Sequence, residues 1–237
     1  MANLTQLKML EQIDGFLLVD KPAGIAFASV VKAVKRKFNL VKVGHGGSLD
    51  AMASGLFILL IGDANKFVGD VMGADRAYSG VLKLGRATDT HDVHGRTLAE
   101  RDPGEPDFDK ALPEFRGDVF QTEPRFCSVR KEGTADYEIA DTGDHSQFLA
   151  HVYRFAVVGA PRPDARAFEV TATKSLLVRT LVNDFGEALG CGAALESLRR
   201  VRVGKFKVED AVPFDRILAL ELKDFPSVVM PLSKALL

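Results

Sequence analysis

The chain has 237 residues, with 31 Lys and Arg against 32 Asp and Glu, a net charge of −1, and 46% hydrophobic residues. That length and balance fit a soluble globular protein of one large domain or two small ones, with no overall pull toward a polyanion. The longest apolar run, near residues 56–61, is far too short for a helical membrane span, and the N-terminus lacks the basic start and apolar stretch of a signal peptide. Cys127 and Cys191 have no metal-type spacing, which predicts a reduced, cytoplasmic setting with no membrane partner.

Taken in order, residues 15–20 read as a strand closed by the turn Lys21-Pro22-Ala23-Gly24. Ser29 is placed to cap a helix through Phe38, with Val30, Val31, Val34 and Phe38 on one face and lysines opposite. Residues 43–55 then gather four glycines (44, 46, 47 and 55) around His45 and Asp50, ahead of the apolar run. A helix is predicted over 64–72, and alternation predicts a half-buried strand over 78–84. Residues 85–95 are polar and irregular. Residues 101–107 read as a surface linker before a short helix near 109–115. The stretch 121–143 is long, weakly patterned and mixed in charge, which suits a functional excursion from the core. Strands over 149–158 and 167–172 precede a helix over 176–189, ended by Gly190. A second helix is predicted over 193–200, a strand over 201–208 and a short closing helix over 230–237. This irregular interleaving predicts an α+β fold with a mixed or antiparallel sheet.

Several residues stand out for chemistry. Asp50 is a lone carboxylate in a glycine-rich loop that runs into a rigid apolar element, which suits either a catalytic group or a turn cap. Lys32, Lys35, Arg36, Lys37 and Lys42 form one basic cluster, and Arg199, Arg200, Arg202, Lys205 and Lys207 another; each reads as a phosphate-binding patch or a solvated face. Residues 85–95 contain Asp89, His91, Asp92 and His94, but their spacing fits no standard zinc pattern. A turn in which Asp and Thr side chains bond their own backbone is the favoured reading. Arg179 lies between Val178 and Leu181-Val182, so its charge emerges beside buried surface and demands a carboxylate; Asp50 is one candidate.

These residues together resemble the TruB-type pseudouridine synthases. Gly15-Phe-Leu-Leu-Val-Asp20-Lys21-Pro22-Ala-Gly24 is similar to the family's opening strand and turn. Gly44-His45-Gly46-Gly47-Ser-Leu49-Asp50-Ala-Met-Ala53-Ser-Gly55 is similar to its catalytic motif, with Asp50 on the catalytic aspartate. Tyr78 falls on the active-site tyrosine, followed by Leu84-Gly85 and the block from Thr88 to Gly95. The segment from Gln121 to Gly133, then Tyr137, resembles one that helps clasp RNA. Lys174-Ser-Leu-Leu177-Val-Arg179-Thr180-Leu181 resembles the helix start bearing the active-site arginine, and Leu198-Arg199-Arg200 with Val203–Phe206 completes the order. Ala51 stands where the family has proline, Ser175-Leu176-Leu177 where it has Gly-Thr-Tyr, Phe126-Cys127-Ser128 where it has Tyr-Ser-Ala, and Asp141 where arginine is common.

The resemblance implies a single catalytic domain over 1–237 with an RNA-clasping excursion at about 121–145 and no C-terminal PUA-type domain. It implies a cofactor-free and metal-free isomerisation of uridine in the T-arm stem-loop of tRNA, at position 55, after the base is flipped out. Catalysis would rest on Asp50, Tyr78 and Arg179. Contact with RNA or the base would rest on His45, Gly46, Lys21, Arg130, Tyr137, Lys174, Leu177, Arg199 and Arg200. Protein partners are left open, and a monomer is expected. The alternative is an RNA-binding or tRNA-folding protein on the same scaffold without catalysis, suggested by the missing second tyrosine.

Overall fold

The computed structural model describes residues 13–122, 126–130, 137–141 and 147–235, with 126–130 and 137–141 described in backbone alone. In chain order the elements are β1 (Gly15–Lys21), α1 (Phe27–Lys37), β2 (Val43–His45), β3 (Ser54–Ile61), a 3-10 turn (Gly62–Phe67), α2 (Val68–Gly73), β4 (Arg76–Leu84), β5 (Arg86–Thr88) and β6 (Thr97–Glu100). Then follow α3 (Phe108–Ala111), β7 (Gly117–Thr122), β8 (Phe126–Arg130), β9 (Tyr137–Asp141), β10 (Gln147–Arg162), β11 (Ala165–Ala172) and α4 (Val178–Ala188). The chain ends with β12 (Ala193–Val203), β13 (Phe206–Lys207), β14 (Val212–Pro213), α5 (Phe214–Ala219), β15 (Met230–Pro231) and α6 (Leu232–Ala235).

These elements form two compact units, one of residues 1–74 and 199–237, the other of residues 75–198. In the first, β1 and β3 pair antiparallel from Gly15↔Ile61 to Lys21↔Gly55, and β3 pairs parallel with β12 at Arg199↔Ser54 and Arg200↔Gly55. β14 and β15 add to β1, and β2 adds to β3. Buried on both faces, β3 needs a continuous apolar run, and Leu56–Leu60 supply it. In α1, Phe27, Val30 and Val34 are buried while Lys32, Lys35, Arg36 and Lys37 are exposed, so its amphipathic pattern is realised.

In the second unit β4, β11, β10 and β7 form an antiparallel run, with β12 beside β4. Alternation along β4 buries Tyr78, Leu82 and Leu84. Helix α4 buries Val178, Leu181, Val182 and Phe185, and Phe155 packs edge-on to Phe185 with ring centroids 5.0 Å apart. The mixed, largely antiparallel α+β architecture agrees with the sequence reading.

Five local expectations are corrected. Residues 193–200 form strand, not helix: Ala-Ala-Leu-Glu-Ser-Leu has helical propensity, but the place of β12 in the sheet between β4 and β3, paired with β3 at Arg199 and Arg200, overrides it. Ser29 lies inside α1, which begins two residues earlier at Phe27 with Ala26 as an N-cap that makes no side-chain bond. The helix expected over 64–72 splits into the 3-10 turn and α2. Residues 109–115 likewise divide between α3 and a 3-10 turn at Leu112–Phe115, where Pro113 follows the first residue. The closing helix starts later, at Leu232, because Met230 and Pro231 pair with Phe16 and Gly15; residues 236–237 lie outside the described residues. Helix α5 and the 3-10 segment Leu222–Val228 carried no sequence expectation; Phe225 of that segment stacks on Phe38 at 3.8 Å. Within the expected excursion, β8 and β9 pair as a hairpin in register Phe126↔Asp141 to Arg130↔Tyr137.

Candidate active site

The first unit carries Asp50 on the loop between β2 and β3. Lys21, at the end of β1, is 0% exposed, and its Nζ donates to the carbonyl oxygens of Pro22 at 2.9 Å, Ile25 at 2.7 Å and Ala51 at 3.2 Å. The Gly24 amide donates to the same Ala51 carbonyl at 2.7 Å, and the Ala53 amide to the Asp50 carbonyl at 3.1 Å. Arg200, 1% exposed, donates from Nε to the Leu56 carbonyl at 2.8 Å and from Nη1 to the Ser48 carbonyl at 2.8 Å. Two buried cations therefore hold the backbone on both sides of Asp50. Burial pushes the Lys21 amine down to about 8; the Asp50 carboxylate opposes that shift and the Arg200 charge adds to it.

Lys21 and Arg200, expected to meet RNA, are buried here and donate to backbone carbonyls inside the protein. Irregular backbone has no ladder partner for its carbonyls, so buried side-chain donors supply one. His45 also braces the loop. Its Nδ1 accepts from the Gly47 amide at 3.3 Å, and its ring lies 5.1 Å from Phe27 and 5.9 Å from Phe57. Gly46 donates to the Ile58 carbonyl at 2.9 Å, and a Cβ there would run into Val71 Cγ1, which is why the position takes glycine. Arg199 forms a two-pronged ion pair with Asp20 at 2.9 and 2.7 Å. The second basic cluster thus shrinks at the surface to Arg202, Lys205 and Lys207, whereas Lys32, Lys35, Arg36, Lys37 and Lys42 are all exposed.

The second unit carries Tyr78 and Arg179. Tyr78, 8% exposed, sits in β4 opposite Val170 of β11. Arg179 lies in the first turn of α4, where the helix dipole disfavours a cation. Its Nη1 donates to the Thr90 carbonyl at 3.0 Å and lies 3.8 Å from Asp92 Oδ2. Asp92 Oδ1 accepts from Thr90 Oγ1 at 3.0 Å and the His94 amide at 2.9 Å, and Thr88 Oγ1 donates to the Asp92 carbonyl at 2.7 Å. Bonds from the Val93 amide to the Leu195 carbonyl and from the Leu195 amide to the His91 carbonyl, both 2.9 Å, pin this turn to β12. The Asp and Thr side chains of 85–95 therefore do bond their own backbone, and Asp92 also supplies a carboxylate to Arg179. Among the described residues no group of three His, Cys, Asp or Glu side chains is arranged to hold a metal.

The start of α4 is tied by Gln121, 2% exposed: its Nε2 donates to the Leu177 carbonyl at 3.0 Å and its Oε1 accepts from the Leu177 amide at 2.9 Å. Leu177 is the N-cap residue, half-buried, and Lys174 before it is exposed. The side chains of Arg130 and Tyr137 lie outside the described residues. Sequence reasoning did not single out Asp92 as a partner, Gln121 as a brace or Asp20 as the anchor of Arg199. The one available signal was that Arg179 needed a carboxylate; nothing in spacing separates Asp92 from Asp89.

His91 adopts φ 62°, and its Nδ1 is buried with no hydrogen-bond partner among the described residues. Burial pushes the imidazole down to about 4, helped by the Arg179 charge and opposed by Asp92 and Asp89. The folded protein therefore holds His91 neutral while the unfolded chain takes up a proton near ~6.5. Its contribution to stability is fully present above pH 6.5 and lost as pH falls toward 4, by up to about 3 kcal/mol. His91→Asn, which tolerates positive φ, is expected to flatten the decline of the urea midpoint between pH 6.5 and 4. Parallel curves for the two proteins would show that another group drives acid unfolding.

A profile of the TruB family pseudouridylate synthase N-terminal domain matches residues 35–176, and one of the tRNA pseudouridylate synthase B C-terminal domain matches residues 179–237. The chain belongs to the TruB family of pseudouridylate synthases. It is 37% identical over 231 residues to a tRNA pseudouridine synthase B of Gluconacetobacter diazotrophicus, covering 94% of this chain and 76% of that one. It is 36% identical to one of Opitutus terrae, covering 95% of each chain. Among solved structures it is similar to a chain of a Cbf5-Nop10-Gar1 complex, with TM-score 0.72, 25% identity and coverage of 97% of this chain and 63% of that one. A chain of an H/ACA RNP bound to a substrate RNA containing 2′-deoxyuridine gives TM-score 0.69 at 25% identity, with 97% and 62% covered. The chain thus spans less than two thirds of those solved chains. The two TruB profiles divide near residue 178, which falls inside the second compact unit, so the sequence domains and the contact units do not coincide.

Proposed function

We propose that the protein converts uridine to pseudouridine in the T-arm of tRNA, at position 55, after the base is flipped out, with Asp50, Tyr78 and Arg179 as its catalytic residues. The observation that carries this reading is the bracing of the Asp50 loop: two buried cations and a fixed turn hold the backbone on both sides of one carboxylate residue, as a reaction dependent on a single side chain requires. The bond from ribose C1′ to uracil N1 breaks, the base turns, and C1′ bonds to C5, whose proton is replaced by one at N1. Atoms balance without an oxidant, reductant or cofactor. Asp50 acts at the sugar, Tyr78 offers its ring to the uracil and its hydroxyl to proton removal at C5, and Arg179 supplies the positive charge this reading needs. The exposed lysines and arginine of α1 supply charge for the phosphate backbone, and affinity for tRNA is expected to fall with salt.

An unmodified tRNA transcript incubated with the protein is expected to gain pseudouridine at position 55, and Asp50→Ala to yield none at equal tRNA affinity. Tight binding by the wild type with no product would replace this reading with that of an RNA-binding protein on the synthase scaffold.

A further inference from the structure

The first unit has a concave feature beside α2. A pocket of about 240 Å³ opens between the 3-10 turn, α2 and the β12–β13 hairpin, lined by Phe16, Phe67, Val71, Val203 and Phe206, with Asp70 and Lys205 at its rim. Phe16 is buried and forms the floor, while Phe67 and Phe206 stand half-buried beside it with ring centroids 6.3 and 5.4 Å from that of Phe16. Lys205 and Lys207 on the hairpin are exposed, and no ion pair among the described residues holds either.

We propose that this pocket receives an unstacked nucleobase of the RNA substrate, distinct from the reacting uridine. Aromatic faces beside unpaired cations are what a single-stranded nucleotide needs: stacking for the base, ammonium groups for its phosphates. An apolar peptide segment would match the floor but would gain nothing from the lysine fringe. The volume accepts one flat heterocycle, and Asp70 can take a hydrogen bond from an exocyclic amine. The pocket also shares a wall with the Asp50 loop, because Val71 lines it and is the residue against which Gly46 packs. This inference rests on the reading that the substrate is RNA.

The test places a photo-crosslinking phenylalanine analogue at Phe206 of the full chain and irradiates it with unmodified tRNA transcript, while pseudouridine formation by the wild type is measured separately. A crosslink to a nucleotide other than the target uridine supports the pocket. Crosslinks only to the protein's own chain, in the presence of saturating tRNA, would overturn it, whether or not the wild type makes product. Kinetics give an independent readout. Phe206→Leu keeps apolar volume without a π face and is expected to raise KM for tRNA about 5- to 10-fold at unchanged kcat, with Phe206→Tyr restoring it. A KM unchanged in Phe206→Leu would reduce Phe206 to a packing residue and overturn the proposal.

Discussion

Asp92→Asn is expected to lower kcat on a tRNA transcript by about 10²-fold while leaving KM within about threefold and stability within about 1 kcal/mol. The amide keeps an oxygen for the bonds from Thr90 Oγ1 and the His94 amide, so the turn survives. What is lost is the charge 3.8 Å from Arg179 Nη1, between side chains only 14% and 12% exposed, where Coulomb attraction is poorly screened. The guanidinium then keeps the Thr90 carbonyl but loses its carboxylate within the unit, and it faces an amide nitrogen or a repositioned side chain. Arg179 sits at a helix start, where the dipole already disfavours it, so the loss falls on its orientation rather than on the fold. Single-turnover kinetics isolate the chemical step. An unchanged kcat would mean that Asp92 serves the turn alone, and that Arg179 is oriented by other groups.

Gly55→Ala is expected to cost about 3–5 kcal/mol, a large share of the total for a domain of this size, and to sharply reduce soluble yield. Gly55 has φ 100°, a region L-residues rarely enter, and an added Cβ would run into the Arg200 carbonyl oxygen while lying 2.9 Å from the Arg200 amide nitrogen. Both obstacles are backbone in register with Gly55, so no side chain can move aside. The damage would reach function as well, since Arg200 holds the Ser48 and Leu56 carbonyls around the Asp50 loop. Gly69→Ala is the control: it lies in α2 with nothing within 4 Å of the added methyl and is expected to gain about 0.5–1 kcal/mol. Urea unfolding of the two variants reads both effects. A loss below about 1 kcal/mol for Gly55→Ala would mean that β3 and β12 relax apart at little cost.

The elements that the sequence placed well are those whose burial pattern is local. The apolar run before Ile61, the alternation around Tyr78 and the helical spacing from Val178 to Phe185 each bury the face their own period exposes. Residues 193–200 show the opposite case. Their local preference is helical, yet they form β12, because what decides them is a partner strand more than a hundred residues earlier in the chain. The 3-10 turn after β3 and the short β15 were hidden for the same reason, since each is set by what it packs or pairs with.

The candidate site divides along the same line. Residue types and their order were enough to place the chain with the pseudouridine synthases and to propose Asp50, Tyr78 and Arg179 for its chemistry, because a proposed catalytic group is picked by residue type wherever it sits. The roles of the surrounding cations were not legible. Lys21, Arg199 and Arg200 have the composition of a phosphate patch, but a buried carbonyl or carboxylate must be satisfied before a surface charge is available to a ligand. Only the tertiary structure shows which acceptors they meet: Pro22, Ile25 and Ala51 for Lys21, Asp20 for Arg199, Ser48 and Leu56 for Arg200. By itself, then, the sequence determined the family and the α+β class and put forward Asp50, Tyr78 and Arg179 as candidates for the chemistry. The structure decided which charges hold the Asp50 loop and which face solvent, because hydrogen-bond partners are chosen by proximity in space, and spacing along the chain does not encode it.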